Sequence, residues 1–153
     1  MVVFLSDRLF QLIDSLDVMV IMGLDDEFQE AREFVEKEMS LAPDRDQINL
    51  FECTIRVLGG FLSTYHLTKY VFLFNLRLIF LLIDFPSDDL FKEKAIEIGD
   101  RLLPAITESK SSVPFSDVNL KKRQAHSPRW GSSSSTSEVT TIQMQFRILY
   151  NTF

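Results

Sequence analysis

Three helical stretches fill the first seventy residues, and their alternation in character constrains the fold more than any other feature. The first, about Phe10 to Gly23, is mostly apolar with Asp14 and Asp17 embedded, and Gly23 stands where a C-cap glycine would end it. The second, "DDEFQEAREFVEKEM", is amphipathic. Phe28, Ala31, Val35 and Met39 form a thin stripe, the other face carries Glu with Arg32 and Lys37, and Asp25 and Asp26 are the expected cap. After a loop broken by Pro43, the third stretch, about Gln47 to Leu67, is apolar again with Glu52 and Arg56 inside it. Apolar helices with embedded acids, alternating with a solvated helix, predict an all-α fold with an inner and an outer ring of antiparallel hairpins. That is the pattern of an α/α toroid, and a plain helical bundle would look similar.

The third stretch, "INLFECTIRVLGGFLS", raises a specific question. Leu50, Phe51, Ile55, Leu58 and Leu62 recur at helical spacing and call for a core. Glu52 and Arg56 nevertheless sit one turn apart in that run, where i and i+4 side chains meet. Taken alone, such a pair is a surface ion pair worth a few tenths of a kcal/mol. Here apolar residues flank it, and Gly59-Gly60 permits close backbone approach, as at a crowded helix crossing or a ligand wall. A carboxyl in that setting would be raised in pKa by desolvation and lowered by the arginine, the tuning a proton donor needs.

Other polar groups are less pointed. Asp14 and Asp17 are three apart and share one side of their helix, while Glu138 opens the last helix, where an acid is favoured by the helix dipole. None of these has metal-site spacing, and His66 and His126 are isolated and not expected to be ligands. Cys53 is the single cysteine, which excludes an internal disulfide. It reads as a small buried hydrophobe rather than a nucleophile, with no histidine at a useful spacing to activate it.

Beyond the third helix the pattern changes. "KYVFLFNLRLIFLLIDFPSDD" has an apolar core from Tyr70 to Ile83, interrupted by Asn75 and Arg77. A bilayer span needs roughly 20 apolar residues without a central charge, so a buried helix or an inserted segment is favoured over a membrane helix. "SDDLFKEKAIEIGDRLLPAI" predicts a helix capped by Ser87 or Asp88, lined by Leu90, Ala95, Ile98 and Leu102, and ended by Pro104. Thr107 to Ser137 reads as a long irregular region, and a last helix capped by Ser137 follows. The 153 residues suit one domain, and the net charge of −6 argues against a nucleic-acid partner. The start, "MVVFLSDRLF", lacks the features of an export signal.

"LIDSLDVMVIMGLDDEFQEAREFVEKEM", "INLFECTIRVLGGFLSTYHLT", "DDLFKEKAIEIGDRLLPAI", "VPFSDVNL" and "SEVTTIQMQF" follow one another in an order and wording that resemble the class I α-1,2-mannosidases, glycoside hydrolase family 47. The likeness covers about Leu12 to Leu149, except Lys69 to Ser87, and "ECTIR", "SDVN" and "HSPRW" are most similar to the endoplasmic-reticulum branch. The resemblance implies an (α/α)7 barrel and calcium-dependent, inverting removal of terminal α-1,2-linked mannose from high-mannose N-glycans. It places the proton-donor glutamate on Glu52 and a sugar-binding arginine on Arg56, and aligns Asp14, Asp17 and Glu138 with other acids of the cavity. It also implies location on the lumenal side of the endoplasmic-reticulum or Golgi membrane.

Several positions depart from the family pattern. Val18 stands where the family has Thr after "LD", and Gln145 stands where it has the Glu of "QLEF". The resemblance implies that residues 1–153 are the first part of a longer catalytic domain, with an apolar insertion at about 69–87. The other catalytic carboxylates and the calcium-holding threonine are then expected beyond Phe153, leaving this chain inactive by itself. Two alternatives remain beside the enzyme: a non-catalytic glycan-binding or interaction fragment, and a helical protein tethered to a membrane through residues 70–83.

Overall fold

The computed structural model describes residues 3–4, 7–42, 47–76, 89–111, 113–127 and 135–152. Helix α1 (Asp7–Met22) turns its Leu9, Phe10, Ile13 and Leu16 inward at helical spacing. Gly23, at φ 68°, ends it as expected. The Gly23 amide donates to the Val20 carbonyl and the Leu24 amide to that of Met19, a Schellman closure that satisfies the last carbonyls.

Helix α2 (Asp25–Lys37) buries Ala31 and Val35 on the stripe read from its sequence and leaves the rest to solvent. Asp25 and Asp26 do not cap it. The N-cap position is Leu24, without a side-chain bond, and both acids lie in the first turn, where they act through the helix dipole. Val3–Phe4 (β1) then pairs in parallel with Met39–Ser40 (β2).

The third helical stretch begins three residues later than expected, because Ile48–Asn49 is a short strand, β3. Helical residues continue from Leu50 to Leu76 in three parts: α3 (Leu50–Glu52), a π-helical turn (Cys53–Leu58) and α4 (Gly59–Leu76). Helix α1 packs along α4, and α5 (Leu90–Leu102) packs on its other flank. Phe91 of α5 meets Phe61 of α4 and Phe28 of α2, with ring centroids 6.3 and 5.8 Å apart, so three helices converge on one buried ring. Truncating a core Phe of this kind costs about 3–5 kcal/mol.

Pro104 follows the end of α5 at Leu102, as expected. It opens a short helix, α6 (Pro104–Thr107), at the first-turn position where its missing N–H costs nothing. The N-cap position of α5 is Asp89, whose side chain does not cap the helix, while Ser87 and Asp88 lie outside the described residues. So does most of the insertion expected at 69–87, of which α4 takes in the part up to Leu76. Among the described residues no helix is long and apolar enough to cross a membrane, and residues 77–83 of the expected tether lie outside them.

Part of the region read as irregular forms strands. Asp117–Asn119 (β4) and Gln124–His126 (β5) form a hairpin, and β4 also pairs antiparallel with β3, matching Ile48 to Val118. Arg123, at φ 53°, makes the turn. Arg101 fastens the hairpin to α5 through its Nη1 bond to the Leu120 carbonyl, 3.0 Å. The last helix, α7 (Thr136–Thr152), starts one residue before the expected cap, so Ser137 lies within its first turn. The class is all-α with two short sheets, and the described helices form hairpins without closing a ring.

Candidate functional site

The site grows from the join between β3 and α3. Asn49 leaves its strand with extended backbone, and its Oδ1 accepts the Glu52 amide at 2.9 Å, starting the helix there. The wider π-helical turn follows at once, with the buried Thr54 Oγ1 donating to the Leu50 carbonyl at 2.7 Å. Such turns change the angular register of every later side chain, and they recur at functional sites. Arg56 lies inside the turn and Gly59 just after it.

Arg56 bridges two acids from two helices. Its Nε donates to Asp14 Oδ2 at 2.7 Å, and its Nη1 reaches Glu52 Oε2 at a longer 3.4 Å. The guanidinium also lies over the Phe10 ring, 5.1 Å from its centroid, a cation–π arrangement. The close carboxylate of Asp14 pushes the pKa of Arg56 further up. The i, i+4 pair expected from the sequence is thus the weaker of two contacts. The stronger one reaches 42 positions back along the chain.

Glu52 is not enclosed. Its side chain is 54% exposed, against 30% for Arg56 and 39% for Asp14. The apolar flanks expected to desolvate it, Leu50 and Cys53, turn into the core, while the helix face carrying Glu52 stays open to solvent. Cys53 is fully buried and its thiol is pushed up to about 12 by burial, so it is the inert hydrophobe its setting implied.

Asp17, one turn beyond Asp14 on α1, accepts a 2.5 Å hydrogen bond from Ser63 Oγ on α4. Sequence reasoning missed Ser63 and Phe10. Ser63 stands seven residues after Arg56 but Asp17 only three after Asp14, so the helical spacings do not match and gave no signal for the pair. Glu138 sits half-buried in the first turn of α7, and no hydrogen bond or ion pair among the described residues joins it to the Arg56 cluster. Gln145, farther along α7, packs beside Gly59, and its buried Oε1 has no partner among the described residues.

Among the described residues no three acidic, histidine or cysteine side chains converge to hold a metal ion. The carboxylates of Asp14 and Glu52 are instead spanned by a guanidinium, which repels a cation. These residues do not fit a calcium site.

All-α hairpins that present an accessible carboxyl and guanidinium from an inward helix fit the class of helical glycoside hydrolases. The family model described as glycosyl hydrolase family 47 matches residues 6–152. The chain belongs to that family. It is 46% identical over 138 residues to the human endoplasmic reticulum mannosyl-oligosaccharide 1,2-alpha-mannosidase, covering 90% of this chain and 17% of that protein. With the enzyme of the same name from Schizosaccharomyces pombe it is 37% identical over 140 residues, 92% of this chain and 23% of the relative. With the mannosyl-oligosaccharide alpha-1,2-mannosidase IA of Drosophila melanogaster the identity is 34% over 140 residues, 90% and 18% of the two. The chain therefore spans about a fifth of the length of these relatives.

Proposed function

We propose that this chain supplies the acid side of a site that removes terminal α-1,2-linked mannose from high-mannose N-glycans in the endoplasmic reticulum. The names of the relatives support the substrate, the reaction and the compartment. The observation that carries the reading within this chain is the row Glu52–Arg56–Asp14, laid across an accessible helix face. Glu52 is the proton donor. Its exposed carboxyl gives its proton to the glycosidic oxygen as the bond to the departing sugar breaks. Arg56 donates hydrogen bonds to sugar hydroxyls and holds the ring against that acid. Inversion requires a second carboxylate that takes a proton from water as the water attacks the opposite face of the ring.

No residue placed beside Glu52 fills that second role. Asp14 is engaged by Arg56, and Gln145 has no ionisable group. Turnover therefore takes a carboxylate from outside the described residues. Calcium belongs to the proposal only as a requirement of the larger enzyme, and no step here passes through it. A second reading, glycan binding without turnover, is favoured by Gln145, an amide where the family has a carboxylate.

Joining the 153 residues to the remainder of a relative's catalytic domain, incubating with a Man9 oligosaccharide and calcium, and measuring both free mannose and bound glycan separates these readings. Mannose release that disappears in Glu52→Gln supports the enzyme, and binding without release supports the second reading. Absence of both sinks the sugar site.

A further inference from the structure

The resemblance placed Asp14 and Asp17 among the acids of a sugar cavity, but both are spent on another task. Asp14 holds Arg56 of the π-helical turn at 2.7 Å, and Asp17 holds Ser63 of α4 at 2.5 Å. Between these two bonds lies Gly60, where α1 and α4 approach most closely through Ile13. The two acids act as fasteners on either side of a helix crossing.

We propose that Asp14 is a positioning residue: by binding Nε it fixes the fork of Arg56 so that its Nη2 edge is presented to ligand hydroxyls. Three observations carry this. Among the described residues Nη2 has no partner, while Nε and Nη1 both do. Phe10 supports one face of the guanidinium plane, leaving rotation about the long side chain as the main freedom to remove. A charge-assisted bond at 2.7 Å to the one donor nearest the stem removes it. Arginine's planar fork is rigid, so fixing one nitrogen aims the other two. The choice of ligand rests on the sugar reading above, but the clamp itself does not.

Proton-detected NMR of arginine Nε–Hε groups, together with a titration by α-1,2-mannobiose, tests the proposal on the full 153-residue chain. A carboxylate-bound Hε exchanges slowly with water and gives a sharp, shifted signal. Arg56 Nε bonds to a carboxylate at 2.7 Å and Arg101 Nε at 3.2 Å, and Arg56→Lys identifies the Arg56 signal by its loss.

In Asp14→Ala the Arg56 signal is expected to broaden into the exchanging background, and mannobiose affinity to fall about tenfold, as expected for one charge-assisted bond. Asp14→Glu is expected to restore both. Loss of affinity with the Arg56 signal unchanged would overturn the proposal, because Asp14 would then touch the sugar directly. A wild-type chain without a slow Arg56 signal overturns it too, whether or not any variant folds. A wild-type chain that shows the signal but binds no mannobiose sinks the sugar reading, and the signal still supports the clamp.

Discussion

Gly60 of α4 and Ile13 of α1 meet so closely that a Cβ on the glycine would stand 2.8 Å from Ile13 Cγ2 and 3.0 Å from the Ile13 carbonyl oxygen. A side chain can rotate away from such an intruder. A carbonyl in the middle of a helix cannot. The crossing that brings Asp14 to Arg56 and Asp17 to Ser63 therefore depends on a missing methyl group.

The two adjacent glycines should respond to alanine with opposite signs. Gly60→Ala forces α1 and α4 apart and is expected to cost about 1–3 kcal/mol, as overpacking of a core does. At Gly59 the added Cβ would make ordinary contacts, 3.6 Å to the Thr54 carbonyl oxygen and 3.9 Å to Gln145 Cγ. Relief of glycine's backbone entropy in a helix then gives Gly59→Ala a gain of about 0.5–1 kcal/mol. Urea unfolding of the two variants followed by circular dichroism checks the pair, and equal signs would contradict the crossing described.

Ser63→Ala should cost about 1 kcal/mol, since it removes a hydroxyl donor to the half-buried carboxylate at position 17. Asp17→Ala combined with Ser63→Ala should cost little more than either change by itself, because both remove the same bond. Thermal unfolding of the two single variants and the double variant gives the coupling, and strict additivity would show that the bond is not formed.

Much of this architecture was legible in the sequence, and the illegible parts share a physical cause. The stripe Ala31–Val35 and the terminating Gly23 follow from helical period and from a conformation few residues but glycine adopt cheaply. The strands Ile48–Asn49, Asp117–Asn119 and Gln124–His126 were missed because two or three residues carry no readable alternation. In a stretch full of Ser, Pro and Lys, only the pairing partner 70 residues away reveals a strand. The π-helical turn left no mark in the pattern either, although it carries Arg56. The pairing of Glu52 with Arg56 was recognisable, but not the further partner of Arg56. Spacing showed that Glu52 and Arg56 share a face, whereas the stronger bond, to Asp14, depends on how two helices cross.

The Cys53 thiol gives the chain a measurable alkaline dependence. Burial raises it from an ordinary 9.0 to about 12, so the folded state holds this proton more tightly than the unfolded state does. The preference is fully in place below pH 9 and is lost as pH climbs toward 12, at up to about 1.4 kcal/mol per pH unit. Cys53→Ala lowers stability at neutral pH by leaving a small void, yet its stability should fall less steeply than the wild type's between pH 9 and 10.5. Denaturant titrations at those two pH values decide it. Parallel slopes would mean that the thiol reaches water, in which case iodoacetamide should also label it in the folded chain.

Gln145 offers the sharpest contrast between stability and function. Its Oε1 is buried with no partner among the described residues, so it has given up hydration and gained no bond from them in return. Replacing it with Met, similar in length and without the amide, should raise stability by about 1 kcal/mol. Gln145→Glu should have the opposite effect, lowering stability at pH 7 by more than 1 kcal/mol, because a carboxylate there would be buried beside the Gly59 backbone without a hydrogen bond. The penalty should shrink as pH drops and the introduced carboxyl takes up a proton, which unfolding curves at pH 7 and pH 4 would show. If Gln145→Glu instead stabilises the chain at pH 7, a donor must lie within reach of position 145. The family's glutamate would then have been exchanged for an amide at a site still built to receive a charge.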